Sequence, residues 1–83
     1  MNMRYEMLDF ENIRNLRIDH DYTQKYIADY LGVRQNTYSQ YETGVLAYPL
    51  DVLMKLADLY GVSVDYLLGL TDQKEPYPYR KQT

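Results

Sequence analysis

Between residues 34 and 40 the chain reads Arg34, Gln35, Asn36, Thr37, Tyr38, Ser39 and Gln40. Apart from Tyr38, these side chains are polar, mostly short, and rich in amides. Gln and Asn each donate and accept in one plane, which matches N6 and N7 on the major-groove edge of adenine. Thr37 has a methyl to offer to thymine, and Gln40 follows Asn36 by four residues, on the same side of a helix. The pattern suits reading of base edges. Groups able to make or break bonds are scarce. The chain has no Cys and one His, no glycine-rich phosphate loop, and no metal-ligand spacing. Ser39 and Ser63 have no His in a local motif, and Asp and Glu are scattered rather than paired. Neither catalysis nor a resident metal or cofactor is expected, and His20 reads as a solvated loop residue.

The segment from Thr23 to Glu42 must position that polar row. Its first run sets Ile27, Ala28 and Leu31 on one side of a helix, and its second sets Tyr38 and Tyr41 on one side. Gly32 lies between them, where a left-handed backbone carries no Cβ penalty. Ala28 is the small residue that lets a second helix cross closely. A small residue, a Gly four positions on and a bulky apolar position six further is the spacing of a helix-turn-helix.

In order, the chain carries IRNLR (13–17), TQKYIADYLGV (23–33), TYSQYETG (37–44), Pro49 and LMKLADLYGVSVDYLLG (53–69). This ordered set resembles the lambda-repressor-like (Cro-type) DNA-binding domain of the XRE family. The resemblance implies an all-α, compact five-helix domain over residues 9–69, with the helix-turn-helix at the second and third helices. It implies a sequence-specific transcriptional regulator, a repressor, that reads a double-stranded operator as a homodimer. The face formed by Arg34, Gln35, Asn36, Thr37, Ser39 and Gln40 would then enter the major groove. Gln24 would contact a phosphate at the start of the second helix, and Lys25 would bind the backbone beside it. Arg17 and Glu42 would form a partly buried structural ion pair. Tyr48, Tyr66, Leu67 and Leu70 would lie near the two-fold axis, with the recognition helices about 34 Å apart.

Three departures from the family pattern stand out. Arg34 occupies the N-cap of the third helix, although it has no acceptor to offer. Tyr38 fills a core position usually held by Ile or Val. The loop after Gly44 reads VLAY, where the family has basic residues, so its phosphate contacts are missing.

Eighty-three residues allow one small core. The 11 tyrosines bring rings to the core and hydroxyls to its edge. The net charge of −3 runs against phosphate binding. It is unevenly spread, however: residues 13–49 hold Arg14, Arg17, Lys25 and Arg34 against Asp19, Asp21, Asp29 and Glu42, a balance of zero. The acidic balance and the tyrosines favour an alternative, a protein-interaction module on the same fold, antitoxin-like or anti-repressor, with weak or no DNA binding. No apolar run approaches the roughly 18 residues of a membrane span and no secretory leader is seen. The lack of Cys fits a reducing cytosol, so a cytoplasmic protein is expected.

Along the chain, residues 1–8 form an N-terminal extension without a period. A first helix is expected from Asp9 to Asp19, with Asp9 as N-cap and Phe10, Ile13 and Leu16 inward. A fourth is expected from Leu50 to Tyr60, closed by Gly61, and a short fifth after the N-cap Ser63, closed by Gly69. Residues 70–83 form a tail in which Pro76 and Pro78 are interleaved with Tyr77 and Tyr79, with the basic Arg80 and Lys81 toward its end. The tail reads either as a loose end or as an arm for a protein partner, a second subunit or DNA.

Overall fold

The computed structural model describes residues 8–76. Five helices follow one another: α1 Glu11–Asp19, α2 Gln24–Leu31, α3 Gln35–Glu42, α4 Leu50–Tyr60 and α5 Val64–Leu67. No strand occurs among the described residues, as the apolar spacing predicts. The core takes Ile13 and Leu16 from α1, Ile27 and Leu31 from α2, Tyr38 and Tyr41 from α3, and Leu53 and Leu56 from α4. Ala28 is buried as well, consistent with a close approach of α2 and α3.

Local chemistry fixes the joints. Thr23 is extended, and its Oγ1 accepts the Tyr26 N–H at 3.0 Å, satisfying one of the orphan donors of α2. At the other end Gly32 has φ +74°, and the Val33 N–H reaches back to the Ala28 carbonyl at 3.0 Å. That bond is the mark of a Schellman cap, which turns the chain directly into α3. Ser63 repeats the N-capping device, its Oγ accepting the Tyr66 N–H at 3.0 Å. After α1 it is Asp21 that enters the left-handed region, at φ +59°.

Three expectations need correction. First, α1 begins at Glu11 with Phe10 at the N-cap position, one residue later than an N-cap at Asp9 would place it. Asp9 does accept the Glu11 N–H at 2.9 Å, but its own N–H is given to the Leu68 carbonyl at 3.0 Å. That tie anchors Asp9 to the end of α5, while its carboxylate accepts from the first turn of α1. Second, Tyr48 and Leu67 are core residues, 8% and 0% exposed, so neither has a face to give to a second subunit. Tyr48 turns inward between Phe10 and Tyr41, with ring centroids 5.3 and 5.2 Å away. Third, structured contacts continue past Gly69. The Ser63 N–H donates to the Lys74 carbonyl at 2.9 Å, and the Lys74 ammonium lies 5.8 Å from the Tyr66 ring centre. The extension before Leu8 and the arm with Tyr77, Tyr79, Arg80 and Lys81 lie outside the described residues.

Gly69 marks the tightest of these junctions. Its φ is +76°, and a Cβ built there meets the Asp9 carbonyl oxygen at 2.6 Å. The obstacle is backbone, which cannot swing aside. Gly69→Ala is therefore expected to destabilise the fold by on the order of 3 kcal/mol, combining left-handed strain with overpacking. Gly61→Ala is the control, since it has similar φ but open space around its Cβ, and it should lose only about 1–2 kcal/mol. Urea unfolding of both variants measures the difference; equal losses would show that the contact with Asp9 gives way.

Candidate nucleic-acid interface

The polar row stands on α3. Arg34, Gln35 and Asn36 are exposed, while Thr37, Ser39 and Gln40 are half-buried along its flank. The opposite side of the same helix is sunk in the core through Tyr38 (0% exposed) and Tyr41 (7%). One helix thus divides its labour: aromatic rings fix its position, and amides and hydroxyls face outward. Arg34 makes no side-chain cap bond, so the start of α3 depends on the preceding turn and on packing. At the far end the Gln40 carbonyl accepts the Leu46 N–H at 3.0 Å and the Thr43 hydroxyl at 3.3 Å, tying the next loop to the helix.

The third anchor of α3 is electrostatic. Arg17 Nε lies 2.7 Å from Glu42 Oε2, and its Nη2 lies 3.0 Å from Oε1. This is the two-pronged geometry that suits guanidinium and carboxylate. Arg17 Nη1 also donates to the Tyr22 carbonyl at 3.0 Å. The Tyr38 hydroxyl donates to Glu42 Oε2, and Gln24 Nε2 donates to Oε1 at 3.0 Å. Side-chain exposures are 13% for Arg17 and 4% for Glu42. Burial pushes the Glu42 carboxyl upward, but the hydrogen bonds from Arg17, Tyr38 and Gln24, with the Arg17 charge, outweigh it and hold the group below its ordinary range. The bond to Glu42 raises Arg17 further. Burial, followed by the bond to Glu42, raises Tyr38 well above its ordinary value.

Gln24 is thus half-buried and already engaged, not simply an exposed first-turn residue. Lys25 is exposed and pairs with Asp29 at 3.2 Å, a surface contact of the kind that contributes little. Tyr26, 50% exposed, stacks on Tyr22 at 4.7 Å, and Tyr22 leans toward Tyr60. His20 joins the edge of this cluster, 5.1 Å from the Tyr60 ring. Val45 and Leu46 are exposed in the loop after α3. Among the described residues no group of His, Cys, Asp and Glu is disposed to hold a metal, and no helix is long and apolar enough to cross a membrane.

The Gln24–Glu42 and Tyr38–Glu42 contacts were not read from the sequence. Tyr38 and Glu42 do carry a local signal, since they are four apart on one helix. Gln24 and Glu42 are 18 residues apart and carry none.

Comparison with known proteins agrees with this architecture. A helix-turn-helix family model matches residues 13–67. Over 71 residues the chain is 44% identical to YobD, an HTH-type transcriptional regulator of Bacillus subtilis (strain 168), covering 86% of this chain and 63% of that protein. Over 57 residues it is 41% identical to RstR, a cryptic phage CTXphi transcriptional repressor of Vibrio cholerae, covering 69% and 51%. The crystal structure of a transcriptional regulator from Listeria innocua superposes with a TM-score of 0.74 at 28% identity, covering 81% of this chain and 64% of that one. The chain spans less than two thirds of the length of each of these relatives. With a helix-turn-helix built from α2 and α3, and matched from Ile13 to Leu67, the chain belongs to the XRE-type helix-turn-helix family.

Proposed function

We propose that this chain is a sequence-specific, non-enzymatic DNA-binding transcriptional regulator, a repressor, that places α3 in the major groove. The observation that supports this reading best is the two-sided nature of α3, with Gln35 and Asn36 outward while Tyr38 and Tyr41 anchor it from within. Gln35, Asn36 and Gln40 read bases, with Thr37 and Ser39 beside them. Arg34, Gln24 and Lys25 contact the phosphates, which position the protein without carrying sequence information. Two copies bind adjacent half-sites about one DNA turn apart. Exposed Leu70 and half-buried Tyr66 are the expected contact residues that still offer surface for that pairing.

Selection of bound sequences from random duplexes tests the reading. Gln35→Ala and Gln40→Ala are each expected to lose about 1–3 kcal/mol on the selected site and to relax preference at one base pair. Folding stability should change by less than about 0.5 kcal/mol for exposed Gln35. If the Gln35, Asn36 and Gln40 variants all retain the wild-type motif and affinity, α3 is not the reader. The alternative, a protein-interaction module on this fold, draws on the exposed Val45, Leu46, Leu50 and Met54 and on the absence of basic residues from the loop after α3. A wild-type protein that selects no motif at all would count against DNA reading and favour this alternative.

A further inference from the structure

A surface notch of about 280 Å³ opens beside the start of α2 and the end of α3, lined by Arg14, Arg17, Gln24, Glu42 and Thr43. Its charges are not equivalent. Arg17 and Glu42 are locked together through two N–H···O contacts and neutralise each other. The Thr43 hydroxyl is turned to the Gln40 carbonyl. Arg14 is exposed, and among the described residues it forms no ion pair, although Asp9 and Glu11 line an adjoining cavity with it. Of the charges lining the notch, Arg14 is thus the one not engaged in an ion pair among the described residues. Gln24 brings a neutral donor to the same place. Its Nε2 carries two hydrogens, and one is spent on Glu42 Oε1 at 3.0 Å. That bond fixes the plane of the amide and leaves the second N–H available.

We propose that this notch seats one backbone phosphate of the DNA, with Arg14 as its charged ligand and Gln24, held in place by Glu42, as its neutral one. The inference rests on the DNA-binding reading above and adds to it a cation that the family resemblance does not assign. Arg14 supplies affinity without sequence preference, in a chain whose loop after α3 has no basic residue to do so. Glu42 acts as a positioning residue, because it touches the amide rather than the phosphate.

The test is fluorescence anisotropy of the full chain on a duplex carrying its selected motif and on a scrambled duplex, over a series of salt concentrations. Arg14→Ala should weaken both duplexes alike, by about tenfold. It should also make the slope of log K against log salt shallower by about one. Arg14→Lys should restore the slope, since the charge is what releases the counterion. The melting temperature should be unchanged in both variants. An Arg14→Ala protein with wild-type slope and affinity would overturn the proposal and leave the DNA-binding reading standing. Loss on the selected motif alone would overturn it too, by making Arg14 a base reader, and a lowered melting temperature with an unchanged slope would make Arg14 a packing residue. A wild-type protein that binds neither duplex would overturn both readings together.

Discussion

Arg17→Ala is expected to remove on the order of 3–5 kcal/mol of folding stability, because it leaves the Glu42 carboxylate buried beside Tyr38 and Gln24 with no cation. For a domain of this size that corresponds to a fall of roughly 20 °C in the melting midpoint. Arg17→Lys should recover part of the loss, since an ammonium supplies charge but not the planar fork. Glu42→Gln strands the opposite partner and should be similarly damaging. Acid attacks the same site. The Glu42 carboxyl is lowered in the folded chain, so its contribution is present above its ordinary value near 4.5 and disappears as pH falls through the folded value. Circular dichroism melts of the three variants decide the matter. A midpoint for Arg17→Ala equal to wild type would show that the pair is not a pillar of the fold.

Alkaline solution is expected to unfold the protein steeply. Burial raises Tyr38, Tyr48 and Tyr60 above the ordinary value of 10.0, with Glu42 adding to the shift of each. A raised phenol favours the folded chain below pH 10.0, and that stability is lost as pH climbs toward the folded value. Three such groups remove about 4 kcal/mol per pH unit once the unfolded chain begins to ionise. At about 0.05–0.15 kcal/mol per residue, a chain of 83 residues has a total stability of about 4–12 kcal/mol, so unfolding should set in within roughly one to three units above pH 10. Phenolate absorbance and helix ellipticity, followed together, should show a shared step. Tyr48→Phe sharpens the test. The buried Tyr48 hydroxyl has no hydrogen-bond partner, so its removal should be neutral or stabilising at pH 7 while making the alkaline decline shallower by about a third. A gradual rise in absorbance with helix intact past pH 13 would contradict this.

The helices were legible because apolar spacing and the residues at their ends agree. Thr23 and Ser63 cap helices as their hydroxyls suggest, and the bounds of α4 fall on Leu50 and Tyr60 as read from the sequence. The inward placing of Tyr38 was legible too, from its spacing to Tyr41 and to Gly32. What the sequence could not resolve was direction at apolar positions outside strongly periodic runs. Tyr48 and Leu67 would look the same whether they faced their own core or a second subunit, and only the packing of Phe10 and Tyr41 around Tyr48 turns it inward. The bond that anchors Asp9, its N–H donated to Leu68, left no local signal, because the two residues are remote in sequence. Gln24 was recognisable as a first-turn residue, but its partner Glu42 lies on another helix.

The two-sidedness of α3 has a consequence for how such a protein changes over generations. The helix is eight residues long, has no side-chain N-cap, and carries Asn36, Thr37 and Ser39, which are poor helix formers. It persists because Tyr38, Tyr41 and Glu42 moor it to the rest of the molecule. Gln35 and Asn36 take no part in that mooring. They can be exchanged with little effect on folding, so on the proposed reading of α3, drift at a few outward letters would carry the protein from one operator to another while the scaffold stays still. On the same proposed reading, new DNA preferences would be selectable on this frame in the laboratory, two or three positions at a time.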